Sequence, residues 1–545
     1  MAKLQKLLPA PASPETMTKR QRWSALGLLS AGLLLVTMDM TILLIALPDL
    51  IAELQSTATE QLWIVDVYSL ILAGLLIPMS ALADRIGRRK TLLIGFALFG
   101  LMSLLVLFAT NSATVIALRA ILGVSGAMIM PTTLSIVRSV FQDPEERTRA
   151  LAIWSIFAGL GAIVGPLVGG GLLEFFSWHA AFLVNVPVAV LVVAAGMLLL
   201  PELKDPNPPR WDTLAVVLSI AGMVALVFGI KELAHQGVGH ATPWLMLVGG
   251  TALMGLFILR YLRSSEPLLD VRLFTRAPFS AGVIVALTTM LAMGGVMLLI
   301  TQWLQVVAGY TPILAGAALL PFTIGSLIGS PIAPELARCI SARAVVTGGL
   351  VMSAAGMLLL GVMGTLGELT SYWQFITPMA MVGAGLGSLA IASAIIMGST
   401  PTDKAGNAAA IEESSYELGN VLGVAIIGSV ASALYRANIN LNGLDAKFVG
   451  LAQESLVGAL AVARELALPD LAATATTAFN DSLFGAALAD GGIMLAAALA
   501  VYLMIPKNFD LTALIPGHRP AHLLRQPTNG SNQPVTHLEG IMPIR

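Results

Sequence analysis

Residues 61–90 read QLWIVDVYSLILAGLLIPMSALADRIGRRK. From Gln61 to Ala83 the only charge is Asp66; then Asp84, Arg85, Arg88, Arg89 and Lys90 crowd a turn around Gly87. At 1.5 Å per residue, a helix over the apolar part can cross a bilayer core of roughly 30 Å. The basic cluster then stops it at an aqueous edge. A carboxylate inside such a helix is costly, so Asp66 must meet something.

The rest of the chain repeats this pattern. Of its 545 residues, 57% are hydrophobic and 11% charged, too few charges to cover a soluble protein of that size. Apolar runs predict fourteen transmembrane helices, at about 23–48, 60–82, 90–109, 113–138, 149–173, 179–200, 211–231, 243–262, 279–305, 312–335, 343–364, 372–398, 404–432 and 484–505. The first run is too long for the core of a cleavable signal and is expected to be retained.

Lys and Arg set the orientation. Of 30, Arg119 lies within a span, four (Lys231, Arg436, Lys447, Arg464) fall in outer segments, and the other 25 lie inside if the N-terminus is cytoplasmic. That bias predicts both termini in the cytoplasm. Residues 436–483 then face outward as an amphipathic hairpin, a cap or a gate, and the Pro-punctuated tail 506–545 is expected to be disordered.

Several functions are excluded. The net charge of −1 says nothing about partners, and no long basic run suggests nucleic acid. Cys339 is the single cysteine, so no intramolecular disulfide or cysteine-based metal site is expected. No phosphate-cradling glycine loop ends in lysine, which argues against ATP as a fuel and against an enzyme. No cofactor is expected.

An internal echo divides the chain. LADRIGRRKTLLIG from Leu82 and LARCISARAVVTGG from Leu336 share Leu-Ala, an isoleucine, a basic residue and the closing glycine in register. Pairing spans 2–3 with spans 10–11 predicts an all-α membrane protein of two six-helix bundles, 23–200 and 271–505, joined by a two-helix linker, 201–270, after a cytoplasmic segment, 1–22. Paired halves of this kind place a binding site at the midplane between them.

The candidate functional residues are the charges and glycines inside the spans. Asp39, Asp66, Glu412, Glu413 and Glu417 are intramembrane acids, with Tyr416 beside the last three. Glu413 and Glu417, four apart, share a helix face. Arg119 reads as the lone cation within the membrane and needs a partner or a wet cavity. Asp84 with Arg85, Gly87, Arg88 and Arg89 predicts an ion-pair latch between helix ends. In GLGAIVGPLVGG (159–170), Gly161, Gly165, Gly169 and Gly170 allow close helix approach, and Pro166 frees a carbonyl. A carboxylate in a dry interior holds a proton more tightly than in water, and an arriving cation favours its loss. Proton and cation then compete for one site, which suffices for exchange.

Together these segments resemble the fourteen-span drug:proton antiporters of the major facilitator superfamily. MDMTILLIALP (38–48), SALADRIGRRK (80–90), RAILGVSGA (119–127) and GAIVGPLVGG (161–170) are similar to its motifs in spans 1, 2–3, 4 and 5. WIVDVYSL (63–70) and AGNAAAIEESSYELGNVLGVAIIGS (405–429) look most like the quaternary-ammonium efflux pumps of the SmvA and QacA kind. The resemblance implies a monomeric, multi-pass protein of the bacterial inner membrane that exports small lipophilic cationic drugs in exchange for protons. It assigns Asp39 and Glu413 to proton or cation binding, Asp66, Glu412 and Glu417 to assisting them, and Arg119 to proton coupling. An exporter of a lipid, amino acid or other metabolite on the same fold is the alternative, but an anion site would want more than one intramembrane cation. A transport-dead sensor would be expected to shed the acids and gain a soluble domain.

Overall fold

The computed structural model describes residues 17–204, 212–237, 239–263, 271–367, 372–401 and 404–506. The expected disordered tail and most of the first cytoplasmic segment lie outside the described residues. In chain order the helices are α1 (Lys19–Leu54), α2 (Ala58–Ile86), α3 (Arg88–Leu105), α4 (Ser112–Val140), α5 (Pro144–Leu173), α6 (Ala180–Leu183), α7 (Asn185–Leu199), α8 (Thr213–Gln236), α9 (Ala241–Arg263) and α10 (Ala277–Gln302). They continue as α11 (Pro312–Ala318), α12 (Leu320–Cys339), α13 (Ala342–Thr365), α14 (Trp373–Gly385), α15 (Gly387–Gly398), α16 (Ala405–Asn438), α17 (Ala446–Glu454), α18 (Leu456–Glu465) and α19 (Pro469–Met504).

Among the described residues, thirteen helical stretches are long and apolar enough to cross a bilayer. The 30-residue α5 stands where the fifth expected span falls. Helix starts are fixed by side chains that satisfy otherwise unpaired amides. Thr18 and Thr57 form capping boxes with Gln21 and Glu60, and Asn111, Asp143 and Ser341 cap α4, α5 and α13. Some expected spans are broken: the sixth is α6 plus α7, the twelfth is α14 plus α15, and the ninth ends in a π-turn at Trp303–Val307. The last span starts earlier than its hydropathy suggests, since Pro469 opens the helix that runs through to Met504. The segment between α16 and α19 is correspondingly shorter and holds α17 and α18.

The same packing pattern occurs twice. In the first half α1 packs on α5, α2 on α4, and α3 on α7; in the second α10 packs on α16, α12 on α14, and α13 on α19. Counted as spans, 1 with 5, 2 with 4 and 3 with 6 recur as 9 with 13, 10 with 12 and 11 with 14. The faint sequence echo is therefore an architectural repeat. α8 lies at the seam between the halves, against α2 and α16, and α9 packs on the outside of α8. Outward-facing leucines and valines, such as Leu191, Leu245 and Leu503, form the surface that lipid covers.

Alternating spans put Lys19 and Met504 at one end, here the terminal end. Contacts between the halves gather toward the opposite, far end. A Cβ at Gly170 of α5 would stand 2.5 Å from the Pro312 carbonyl oxygen and 2.6 Å from Ile313 Cα. Gln305 Nε2 donates to the Ile45 carbonyl at 3.0 Å. Gly428 of α16 lies against Leu62 of α2. At Gly170 the two halves touch backbone to backbone.

Candidate functional site

Three groups of charge lie inside the helices. The first is enclosed by the N-terminal half. Asp39 Oδ2 meets Arg119 Nη1 at 3.3 Å, and both side chains are 1% exposed. Asn185 Nδ2 donates to Asp39 Oδ1 at 2.7 Å and lies 3.3 Å from Ser103 Oγ. Arg119 Nη2 donates to the Val65 carbonyl at 3.4 Å, and its guanidinium lies 5.1 Å from the Tyr68 ring centre. The break between α6 and α7 puts Asn185 at the first position of α7, facing this pair. Burial of both charges is tolerable only because each has a partner; removing one would strand the other.

The second group joins α2 to the linker helix α8. Lys231 Nζ lies 2.9 Å from Asp66 Oδ2, with both side chains fully buried. The same ammonium stands 4.1 Å from the centre of the Trp63 ring. Below it, Leu70 of α2, Val227 of α8, and Val421 and Ala425 of α16 form an apolar cluster at the three-helix junction.

The third group lies on α16. Tyr416 Oη donates to Glu412 Oε1 at 2.6 Å, one turn apart. Glu413 is half-buried and Glu417 is buried. Ser69 of α2 lies within hydrogen-bonding reach of Glu417, whose Oε2 is buried without a hydrogen bond among the described residues. Ser69 is three residues from Asp66, so along the α2 axis the second and third groups are only about 4.5 Å apart.

The glycines expected to permit close packing do so on α1. A side chain at Gly161 would overlap Thr37, one at Gly165 would overlap Thr41, and one at Gly169 would stand 2.7 Å from Ile42. Thr37, Thr41 and Ile42 flank Asp39 along α1, and Thr41 Oγ1 donates to the Gly161 carbonyl at 3.3 Å. The Pro166 carbonyl faces the second half, where Gly316 of α11 packs against it. Gly165 and Gly169 thus face the first half, and Gly170 faces the second.

At the terminal end, Asp84 Oδ1 pairs with Arg88 Nη2 at 2.9 Å across the α2–α3 break. Arg88 Nη1 also donates to Ser139 Oγ of α4 at 3.0 Å, and its amide donates to the Leu203 carbonyl at 2.8 Å. Arg89 Nη1 donates to the Leu200 carbonyl at 3.2 Å. Gly87 has φ of +116°, a left-handed conformation, and a side chain there would run into the Glu202 carboxylate. Arg85 is exposed at the end of α2. The described ties join α2, α3, α4 and the segment leading to the linker.

The comparisons with known proteins fit this arrangement. Residues 29–338 match the model of the Major Facilitator Superfamily. The chain belongs to the major facilitator superfamily. It is 38% identical over 492 residues to the "Multidrug efflux pump LfrA" of Mycolicibacterium smegmatis, covering 90% of this chain and 95% of that one. It is 37% identical over 451 residues to the "Methyl viologen resistance protein SmvA" of Salmonella typhimurium, covering 82% and 90%. Among solved structures, a bacterial homologue of the lysosomal transporter Spinster, inward-facing and unoccupied, superposes with a TM-score of 0.61 at 16% identity, covering 90% and 98%. A peptide transporter POT superposes at 0.59 and 17% identity, covering 89% and 96%. At such identities these two establish the superfamily fold. The protein is a multi-pass membrane transporter.

Two features of this superfamily member escaped the reading of its sequence. Arg119 is not the lone cation within the helices, and Lys231 does not lie in an outer segment. Lys231 ends its apolar run, so hydropathy leaves it at the water's edge, whereas α8 continues to Gln236 and Asp66 draws the ammonium inward. Asp66 therefore meets a cation of the protein itself. The second is Asp490 of α19, fully buried, with neither oxygen hydrogen-bonded among the described residues. The rule that singled out the other intramembrane acids would have found it.

Proposed function

We propose that the protein is a proton-coupled multidrug efflux antiporter of the bacterial inner membrane, with both termini cytoplasmic. Its substrates are lipophilic mono- and divalent cations: quaternary ammonium biocides, bisbiguanides and cationic dyes. The observation that carries this reading is the acid group on α16. Glu417 reaches Ser69 of α2 across the seam, Glu413 shares its helix face, and Glu412 lies on the flank within reach of Ser393 of α15; among the described residues no Lys or Arg is paired with them. Acids so placed bind either protons or an organic cation. The named relatives support the class: one is called a multidrug efflux pump, and another is named for resistance to methyl viologen, a dication.

The cycle follows from that competition. With the site open to the cytoplasm, Glu413 releases its proton as the substrate's positive charge arrives. After the halves rock, a proton from outside displaces the cation, and the neutral site returns. Glu417 shares the helix face of Glu413, and Glu412 is held by Tyr416 to its flank. Asp66, nearer the far end, meets the second charge of a divalent substrate. Arg119 and Asp39 couple protonation to movement of the first half. An exporter of uncharged metabolites would have no use for three intramembrane acids on one helix.

Inverted vesicles holding an acid interior test this. Adding ethidium should make the lumen lose protons as dye enters, and Glu413→Gln should abolish both movements. Dye transport without proton movement would overturn the coupling, and absence of any cation transport would overturn the substrate class.

A further inference from the structure

Lys231 is an ammonium held by a carboxylate and an indole face, 2.9 Å from one and 4.1 Å from the other. That is the chemistry by which proteins recognise alkylammonium ligands. Phe228, one turn before Lys231, adds a second ring 6.3 Å from Trp63. The group has the composition of an occupied cation cage whose occupant is tethered to α8.

A pair serving stability alone is expected to satisfy its polar atoms, because a half-satisfied buried pair is worse than an apolar contact. Here Asp66 Oδ1 is buried and has no hydrogen bond among the described residues. The cage also adjoins the reach of Ser69 toward Glu417, at the junction of α2, α8 and α16. Lysine suits a removable occupant: its charge is compact and its four-carbon stem is flexible, whereas arginine would lock into a fork.

We propose that Lys231 is a tethered placeholder that neutralises Asp66 when no substrate is bound, and that the second positive charge of a divalent organic cation displaces it. The linker helix is then part of the binding site. Displacement keeps the carboxylate from ever being left bare in the membrane, and it tempers affinity so that the substrate can leave again. The proposal rests on the reading of the protein as a cation exporter.

The test uses the full-length protein in lipid nanodiscs with two phenanthridinium dyes. Ethidium carries one permanent charge, and propidium adds a quaternary ammonium on a propyl arm. Lys231 acylation by a small amine-reactive ester, read by mass spectrometry, should rise several-fold with saturating propidium and stay low with ethidium. Lys231→Met should bind propidium on the order of tenfold tighter and ethidium unchanged, and adding Asp66→Asn should remove that gain. Protection of Lys231 with propidium bound would overturn the proposal while leaving the exporter reading intact. So would a Lys231→Met protein that binds propidium no tighter, or one that binds it more weakly and recovers with Asp66→Asn, the mark of a structural pair. Should Lys231→Met not fold, the labelling of the unaltered protein decides alone. Failure of the unaltered protein to bind either dye would overturn both readings.

Discussion

Glu454, the last residue of α17, accepts a 2.9 Å hydrogen bond from the backbone amide of Ala58, the first residue of α2. The two residues belong to opposite halves. The amide is one of the unpaired donors at a helix N-terminus, where a carboxylate is favoured by the helix dipole as well. Tyr435 Oη holds the other side of the hairpin, donating to the Ala452 carbonyl at 3.2 Å. The segment between α16 and α19 is thus a strap from the second half to the first.

Glu454→Ala should loosen the far end without unfolding the protein. A hydrogen bond to a charged group is worth about 1.5–3 kcal/mol, so the population open at that end should rise roughly tenfold or more. With Cys339 replaced by serine, a cysteine at Leu62, which packs on Gly428, would report the opening. Thiol labelling no faster than in the parent would show that the strap does not hold the halves together.

Asp39→Asn should be severely destabilising. The amide cannot balance Arg119, and a stranded buried charge costs about 3–5 kcal/mol. Asp39→Asn with Arg119→Gln should recover much of the thermal stability lost by the single variant and still fail to transport. Recovery of transport in the double variant would remove this pair from the coupling machinery.

Gly170→Ala should trap the transporter with its far end unable to close. The added methyl meets the backbone of Pro312 and Ile313, which cannot swing aside as a side chain could. Gly171, next along, has open space in front of it and should accept alanine with little effect. Equal transport by the two variants would show that α5 and α11 do not approach this closely during the cycle.

Asp84→Asn should slow turnover severalfold while leaving substrate affinity nearly unchanged. The residue anchors Arg88, which also reaches Ser139, at the terminal end and far from the α16 acids. Binding and vesicle transport should be measured on one purified preparation. Parallel loss of both would place Asp84 in the binding site or in folding.

The fourteen spans, the inside bias of Lys and Arg, and the acids of α16 are properties of short stretches read one at a time. A bilayer demands about 20 apolar residues per crossing wherever the crossing lies in the chain. The sequence by itself therefore determined the span pattern, the repeat hinted at by Leu82 and Leu336, and the set of acids that lipid makes expensive. Which charge meets which was decided only by the tertiary structure. Nothing near Lys231 in the chain points to Asp66, and nothing near Asn185 points to Asp39. The glycines of α5 announce close packing, yet only the packed helices show that Gly165 faces Thr41 while Gly170 faces Pro312. Hydropathy is summed along one helix, but an ion pair is chosen by whichever helices pack together, and in a low-dielectric interior that choice dominates the energy of every buried charge.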